Sequence, residues 1–199
     1  VYHHKYRFSI RNSGIPYLLR MNQPIEVATF AGGCFWCTEA IFERLKGVKS
    51  VLPGYSGGTV SNPTYEAVCT GTTGHAEAIQ VVFDPTLISY ERLLYVFFKT
   101  HDPTTLNQQG ADHGTQYRSA IFYHSEEQKK LAENLVEKLT KEKIYTNRIV
   151  TEIVPFEKFF EAEDYHKHFY ERNKNNGYCQ LVINPKLQKL AHEFIDELK

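Results

Sequence analysis

The sequence predicts a mixed α/β sandwich, in which helices cover a sheet of short strands. Three observations predict it: strand-like runs alternate with helical stripes, 199 residues suffice for one core, and no linker or internal repeat divides the chain. Strands that alternate with helices are joined by crossover connections within one sheet. We predict an N-terminal extension at residues 1–24 and a single folded domain at residues 25–199.

Five strands are predicted from runs of β-branched and aromatic residues bounded by turn residues. In chain order they lie at residues 25–30, 48–55, 76–83, 120–123 and 151–154. Gly32-Gly33 follows the first strand as a tight turn, and Asp84-Pro85 ends the third. Residues 101–118 are polar and long for a connection, which is typical of a functional loop.

Six helices are predicted from apolar periodicity and end signals. In chain order they lie at residues 34–46, at residues 63–69, after Ser89, after Ser125, at residues 164–172 and at residues 185–198. Gly47 stops the first helix, and Pro63 opens the second. Ser89 caps a helix with an apolar stripe, and Ser125 forms a capping box with Gln128.

Composition excludes several function classes. Lys+Arg 23 balances Asp+Glu 23, whereas a nucleic-acid-binding surface needs a basic excess. No apolar run approaches the roughly 18 residues of a membrane span. Four cysteines are too few for a disulfide scaffold and favour a reducing compartment. We therefore expect a cytoplasmic protein that binds neither nucleic acid nor membrane. The basic, acid-free residues 1–25 leave a mitochondrion or another organelle as the alternative.

The segment GGCFWC at residues 32–37 is the first candidate site. Its glycines allow a sharp turn and leave room for a ligand. Cys34 then lies at the N-terminus of a helix, where unpaired N–H groups lower a thiol pKa and favour the thiolate. Cys34 is therefore a candidate nucleophile beside the rings of Phe35 and Trp36. The alternative is that both rings pack in the core and the cysteines are inert.

Two further segments and one tyrosine supply candidate polar groups. Glu77 begins a strand, and if it points inward, burial raises its carboxyl pKa and lets it deliver a proton at neutral pH. On the outward face it is an ordinary surface residue. In the polar loop, Asp112 can order the backbone and Tyr117 can offer its hydroxyl to a ligand oxygen. Tyr65 is a weaker candidate of the same kind.

Together, six segments resemble the A-type peptide-methionine sulfoxide reductases. They follow the order and approximate spacing of that family, and the resemblance covers residues 25–181. It implies a ferredoxin-like α/β sandwich, with a mixed sheet and flanking helices, that reduces methionine S-sulfoxide. The segments are GGCFWC (32–37), GYSGG (54–58), NPTYEAVC (62–69), TGHAE (73–77), ADHGTQYRSAIFY (111–123) and EDYHKHFY (163–170).

The resemblance implies a thiol mechanism without a metal or a bound cofactor. Cys34 would attack the sulfoxide sulfur and become a sulfenic acid, while Glu77 protonates the departing oxygen. A second thiol would form a disulfide with it, and thioredoxin or another external dithiol would reduce that disulfide. The expected partners are thioredoxin and the substrate, which is an oxidised protein or free methionine sulfoxide. The resemblance thus implies a protein-repair enzyme. Separately, the balanced charge and the absence of an apolar heptad are compatible with a monomer, which we expect.

The resemblance also implies how the substrate is held. Phe35 and Trp36 would line a pocket for the methyl group of the sulfoxide. Tyr65 and Tyr117 would hydrogen-bond the oxygen, and Asp112 would shape the same pocket. A methyl sulfoxide is apolar at one end and strongly dipolar at the other, so aromatic walls and hydroxyl donors suit it.

Two cysteines are alternatives for the second thiol. Many family members have glycine at the position of Cys37, and some end in a glycine-rich tail with two cysteines, of which Cys179 resembles the first. A disulfide from Cys37 would close within one helical turn and is expected to be strained. Cys179 is expected on a terminal segment that swings over the pocket, so we favour it, alone or in a relay with Cys37. Cys69 is expected to be buried.

Three other interpretations compete with this one. Cys34, Cys37, His75 and Glu77 include the residue types of a zinc-dependent nucleobase deaminase, although that class has H-x-E before its cysteines. A general dithiol oxidoreductase would use the two cysteines and leave Glu77 without a role. A non-catalytic module that binds methionine sulfoxide would need neither a nucleophile nor an acid.

Overall fold

The computed structural model describes residues 24–199, with one six-stranded mixed sheet. The strands of this sheet are β1 (Glu26–Gly32), β2 (Val48–Ser56), β3 (Ala76–Phe83), β6 (Ser119–Tyr123), β7 (Glu152–Pro155) and β8 (Phe159–Glu161). Two short strands, β4 (Gln108–Gln109) and β5 (Asp112–His113), pair with each other outside it. The predicted extension at residues 1–24 lies, apart from Pro24, outside the described residues.

The four central strands confirm the ferredoxin-like arrangement. The sheet order is β7-β6-β1-β3-β2-β8, and only β6 and β7 pair in parallel. Helix α1 (Phe35–Phe42) connects β1 to β2, and β3 lies between those two strands, which is the split βαβ pattern. Because β3 runs antiparallel to β1, with Phe30 opposite Ile79, its first residues lie beside the end of β1 and the start of α1.

The remaining helices are α2 (Tyr65–Cys69), α3 (Tyr90–Thr100), α4 (Glu126–Lys141), α5 (Phe169–Arg172) and α6 (Asn184–Glu193). Of these, α3 and α4 begin directly after the serine residues predicted to cap them. Ser89 Oγ accepts the backbone N–H of Arg92, and Ser125 Oγ accepts that of Gln128. In the predicted capping box, the Gln128 side chain would accept the backbone N–H of the cap residue Ser125. It accepts the backbone N–H of His124 instead, one residue earlier in the chain.

Aromatic side chains from three elements form the core that supports the site. The Phe30 ring in β1 lies 5.1 Å from that of Phe97 in α3 and 5.6 Å from that of Phe42 in α1, measured between centroids. All three side chains are buried. Burial of each such ring contributes about 2–3 kcal/mol, and it fixes α1 rigidly against the sheet.

Several boundaries differ from the sequence predictions. Helix α1 ends at Phe42 rather than at residue 46, and Gly47, with φ +88, turns the chain into β2. The polar loop contains β4 and β5, and β8 was not predicted. Cys69 is exposed, so its predicted burial is wrong. None of the helices between residues 24 and 199 combines the length and apolar character that a bilayer crossing requires.

Candidate active site around Cys34

The turn between β1 and α1 places Cys34 at a helix N-terminus. Gly33 has φ +87, a conformation that glycine adopts without steric cost, and it bends the chain out of the sheet. Cys34 is the N-cap residue of α1, and its carbonyl accepts the N–H of Cys37 at 3.1 Å. Its side chain is only 6% exposed, so the sulfur lies in a largely dry environment.

The thiols of Cys34 and Cys37 lie in one buried cluster and influence each other's pKa. Burial raises the pKa of Cys34 well above its ordinary value, and the contact with Cys37 and the charge of Glu77 act in the same direction. The Cys34 thiol lowers the pKa of Cys37 to about 7, and the nearby Lys186 also lowers it. The predicted low pKa at Cys34 is therefore wrong, because desolvation outweighs the helix terminus.

The carboxyl of Glu77 is buried beside the same helix terminus. The residue is 1% exposed, and its Oε2 accepts the backbone N–H of Phe35 at 3.0 Å. Burial raises the pKa of Glu77 from 4.5 to about 8, although the hydrogen bond from Phe35 opposes the rise. The structure thus places this side chain inward, and its carboxyl is mostly protonated at neutral pH. Such a group can act as a proton donor.

The indole of Trp36 is enclosed by three aromatic side chains and one hydrogen bond. Its Nε1–H donates to His166 Nδ1 at 3.0 Å. The Phe169 ring stacks on it with centroids 3.7 Å apart, and the Tyr178 ring meets it edge-on at 5.8 Å. The Phe35 ring lies 6.4 Å away. These contacts orient the indole into one wall of an apolar surface next to Cys34.

Glu163 and His166 hold Tyr65 near the site. Glu163 Oε1 accepts the backbone N–H of Tyr65 at 2.9 Å, and Oε2 accepts the Tyr55 hydroxyl at 2.8 Å. The His166 ring lies 4.4 Å from that of Tyr65 and 4.9 Å from that of Phe35. Burial raises the pKa of Tyr65, and the charge of Glu77 raises it further. The phenol therefore stays protonated and can donate a hydrogen bond.

Tyr117 approaches the site from the polar loop. It ends a 3₁₀ turn, Thr115–Tyr117, and packs against the buried cluster that contains Cys34. Burial raises its pKa, and the charges of Glu77 and Cys34 act in the same direction. Its hydroxyl is thus a second protonated donor near both groups.

The tail contributes a tyrosine that the sequence interpretation missed. The Tyr178 hydroxyl donates to Asp112 Oδ2 at 2.8 Å and lies 3.7 Å from Cys37 Sγ. The roles of Glu163 and His166 were missed as well. The EDYH motif was available as a signal for these two, and the position next to Cys179 was available for Tyr178.

Cys179 is buried in the same cluster as Cys34 and Cys37. It opens a π-helical turn, Cys179–Ile183, that leads directly into α6. Cys179, Ile183 and Leu190 in this segment are all completely buried. The expectation of a freely swinging segment is therefore wrong, because the helix that follows is anchored in the core.

Of the residues of the rival zinc site, His75 does not join the other three. His75 uses both ring nitrogens on the loop after β2: Nδ1 accepts the N–H of Gly58, and Nε2 lies 2.8 Å from the Val60 carbonyl. A separate group, formed by Glu39, Glu43 and His168, brings possible metal ligands within 4.8 Å of one another. Its donor atoms are engaged internally, since His168 Nδ1 pairs with Glu43 at 2.6 Å.

Comparisons with known proteins show which family this chain is similar to. The sequence model of the family described as peptide methionine sulfoxide reductase matches residues 26–198. The peptide methionine sulfoxide reductase MsrA of Sulfolobus acidocaldarius is 61% identical over 173 residues, which cover 87% of this chain and 97% of that protein.

The fold of this chain is also similar to that of solved structures. Mxr1 of Saccharomyces cerevisiae in its reduced form has a TM-score of 0.71 and 36% identity, covering 78% of this chain and 89% of that one. Mxr1 in complex with Trx2 has a TM-score of 0.50 and 25% identity, covering 73% of this chain and 84% of that one. The chain belongs to the peptide methionine sulfoxide reductase family.

Proposed function

We propose that this protein reduces methionine S-sulfoxide, in proteins and as the free amino acid, to methionine, with thioredoxin as the electron donor. Membership of the family supports the reaction, and the complex of the relative Mxr1 with Trx2 supports the donor. The reaction is carried by thiols and requires no bound cofactor. The role is repair of oxidised proteins.

One observation carries the proposal: a buried thiol and a buried carboxyl of raised pKa meet at one helix terminus. Cys34 attacks the sulfoxide sulfur, and Glu77 gives its proton to the oxygen. The oxygen ends on Cys34 as a sulfenic acid, and methionine leaves. The backbone N–H of Phe35, which Glu77 accepts at 3.0 Å, keeps the carboxyl aimed at this site.

The substrate is bound through its two ends. The methyl group packs against Phe35 and Trp36, whose rings are fixed by their neighbours. The oxygen accepts hydrogen bonds from Tyr65 and Tyr117, whose phenols stay protonated because burial raises their pKa. Asp112 orders the opposite side of the pocket through the Tyr178 hydroxyl.

The disulfide forms through a relay of thiols. Cys37 attacks the sulfenic acid of Cys34 and releases water, and Cys179 then attacks Cys37 and frees Cys34. The position of Cys37 one turn after Cys34 and the burial of all three cysteines in one cluster support this order. Thioredoxin reduces the resulting disulfide by exchange.

A single-turnover assay tests the function. Excess enzyme is mixed with N-acetyl-methionine S-sulfoxide or its R epimer, without a reductant, and methionine product is measured. We expect one product per enzyme from the S epimer, none from Cys34→Ser, and an unchanged yield from the exposed control Cys69→Ser. Turnover of the R epimer alone, or full product from Cys34→Ser, would contradict the proposal.

Further proposals concern the location, the oligomeric state and the partners of the protein. We propose that it is a cytoplasmic monomer without nucleic-acid or membrane partners. Its four cysteines suit a reducing compartment, its net charge of zero does not suit a nucleic-acid surface, and no helix of the described residues is fit to cross a membrane. Light scattering after size exclusion should give a mass near 23.1 kDa. Twice that mass would refute the monomer.

A further inference from the structure

Glu39 is a buried acidic residue of α1 that takes no part in the proposed mechanism. It is only 1% exposed, and its two carboxyl oxygens accept the backbone N–H groups of His168 at 2.8 Å and of Phe169 at 3.3 Å. Burial raises the pKa of this carboxyl to about 7, and the hydrogen bond from His168 opposes the rise. A buried carboxyl is unfavourable unless hydrogen bonds compensate it, so its place in the fold depends on these two N–H groups.

The backbone that leads into α5 is turned so that both N–H groups meet this one carboxyl. His168 has φ +52 and ψ +35, a left-handed conformation that is uncommon for a residue other than glycine. Such a conformation persists only where the surrounding structure determines it. The imidazole is held separately, because His168 Nδ1 pairs with Glu43 at 2.6 Å. Glu39 therefore holds the backbone at Phe169, and Glu43 holds the side chain of His168.

The residue whose backbone Glu39 holds is the one that covers Trp36. Glu39 follows Trp36 by three residues, so the two side chains are neighbours on one face of α1. The Phe169 ring stacks on the indole with centroids 3.7 Å apart and ring planes 6° apart, while the Phe169 backbone N–H donates to Glu39. His166 fixes the edge of the indole through Nε1, whereas Glu39 acts on the ring that covers its face.

We propose that Glu39 is a positioning residue for substrate binding: it fixes the Phe169 backbone, and through the Phe169 ring it fixes the plane of the Trp36 indole against which the methyl group of the sulfoxide packs. This role rests on the proposed function. Glu39 is not a catalytic residue, because it acts through two other side chains. The methyl contact is the same in the bound substrate and in the transition state, so loss of Glu39 should weaken binding and leave the chemical step unchanged.

Single-turnover formation of methionine from N-acetyl-methionine S-sulfoxide tests this role, with the substrate varied in excess over the enzyme. In Glu39→Gln the amide oxygen accepts one of the two N–H groups, and the amide nitrogen faces the other, donor against donor. We expect the substrate concentration at half of the limiting rate to rise about fivefold, as for loss of one hydrogen bond, and the limiting rate to stay within about twofold. The matched control Glu43→Gln keeps both N–H bonds and should leave both quantities unchanged.

The fluorescence of Trp36, the only tryptophan of the chain, reports on the stacked ring without any substrate. In Glu39→Gln the emission should shift to longer wavelength, and acrylamide should quench it more strongly. Phe169→Leu removes the stacked ring but keeps the buried carboxyl, and it should show the same changes. Because Glu39 acts through Phe169, the double variant should bind substrate no more weakly than Phe169→Leu alone.

The outcomes separate this role from the proposed function. Unchanged substrate binding and emission in a folded Glu39→Gln would overturn the role and leave the function intact, as would additive losses in the double variant or equal losses in Glu43→Gln. Circular dichroism shows whether the variants are folded. Glu39→Asp, which withdraws the carboxyl from both N–H groups, gives the same comparison if the glutamine variant does not fold. Absence of methionine from the parent protein would overturn the function and this role together.

Discussion

Replacement of Glu77 by glutamine is expected to stabilise the fold while it removes the acid. The pKa of this buried carboxyl is raised from 4.5 to about 8, so the native state binds a proton that the unfolded state releases. Stability therefore falls as pH rises from 4.5 to about 8, since the unfolded state binds fewer protons in this window. Glutamine is neutral throughout, and its side-chain oxygen can still accept the Phe35 N–H.

The magnitude follows from the interval between the unfolded-state pKa and the working pH. Between pH 4.5 and pH 7, the need to keep Glu77 protonated in the native state lowers the free energy of unfolding. The loss reaches about 3 kcal/mol, at about 1.4 kcal/mol per pH unit. Glu77→Gln should thus be about 3 kcal/mol more stable at pH 7 and nearly equal in stability at pH 4. Its single-turnover rate at pH 7 should fall at least about 100-fold.

Urea unfolding at pH 4, 5, 6, 7 and 8 measures the difference in unfolding free energy directly. The same samples serve for single-turnover methionine formation. A stability difference that is constant with pH would refute the raised pKa. An unchanged rate at pH 7 in a variant with the expected stability gain would remove Glu77 from the role of acid.

Three further changes test the relay and the aromatic wall. Cys179→Ser should still yield one methionine per enzyme but lose at least about 90% of thioredoxin-dependent turnover, measured by NADPH consumption with thioredoxin reductase; full turnover would show that Cys37 suffices. Trp36→Phe loses the hydrogen bond to His166 but keeps a ring, so KM should rise about fivefold with little change in kcat; an unchanged KM would refute an orienting role. Phe169→Ala removes the ring stacked on Trp36 and should lower the unfolding free energy by about 2 kcal/mol in urea titrations; a loss below about 0.5 kcal/mol would contradict that packing.

Local sequence determined the elements and the position of the nucleophile. Gly33 and the strand before it place Cys34 at a helix N-terminus, because a glycine turn and a capping position are properties of a few adjacent residues. Ser89 and Ser125 likewise cap the helices that follow them. The predicted segments were also sufficient to indicate the family and the ferredoxin-like fold.

The tertiary structure decided everything that depends on burial and on distant neighbours. Sequence could not choose between the two faces of β3 for Glu77, and its pKa follows from the inward face. The sequence predicted a low pKa for Cys34 from the helix terminus. Packing of the tail around Cys179 excludes water from that site, and the pKa of Cys34 is raised instead. Helix ends act within a few residues of the chain, whereas desolvation is set by side chains more than 100 residues away, and those contacts exist only once the chain has folded.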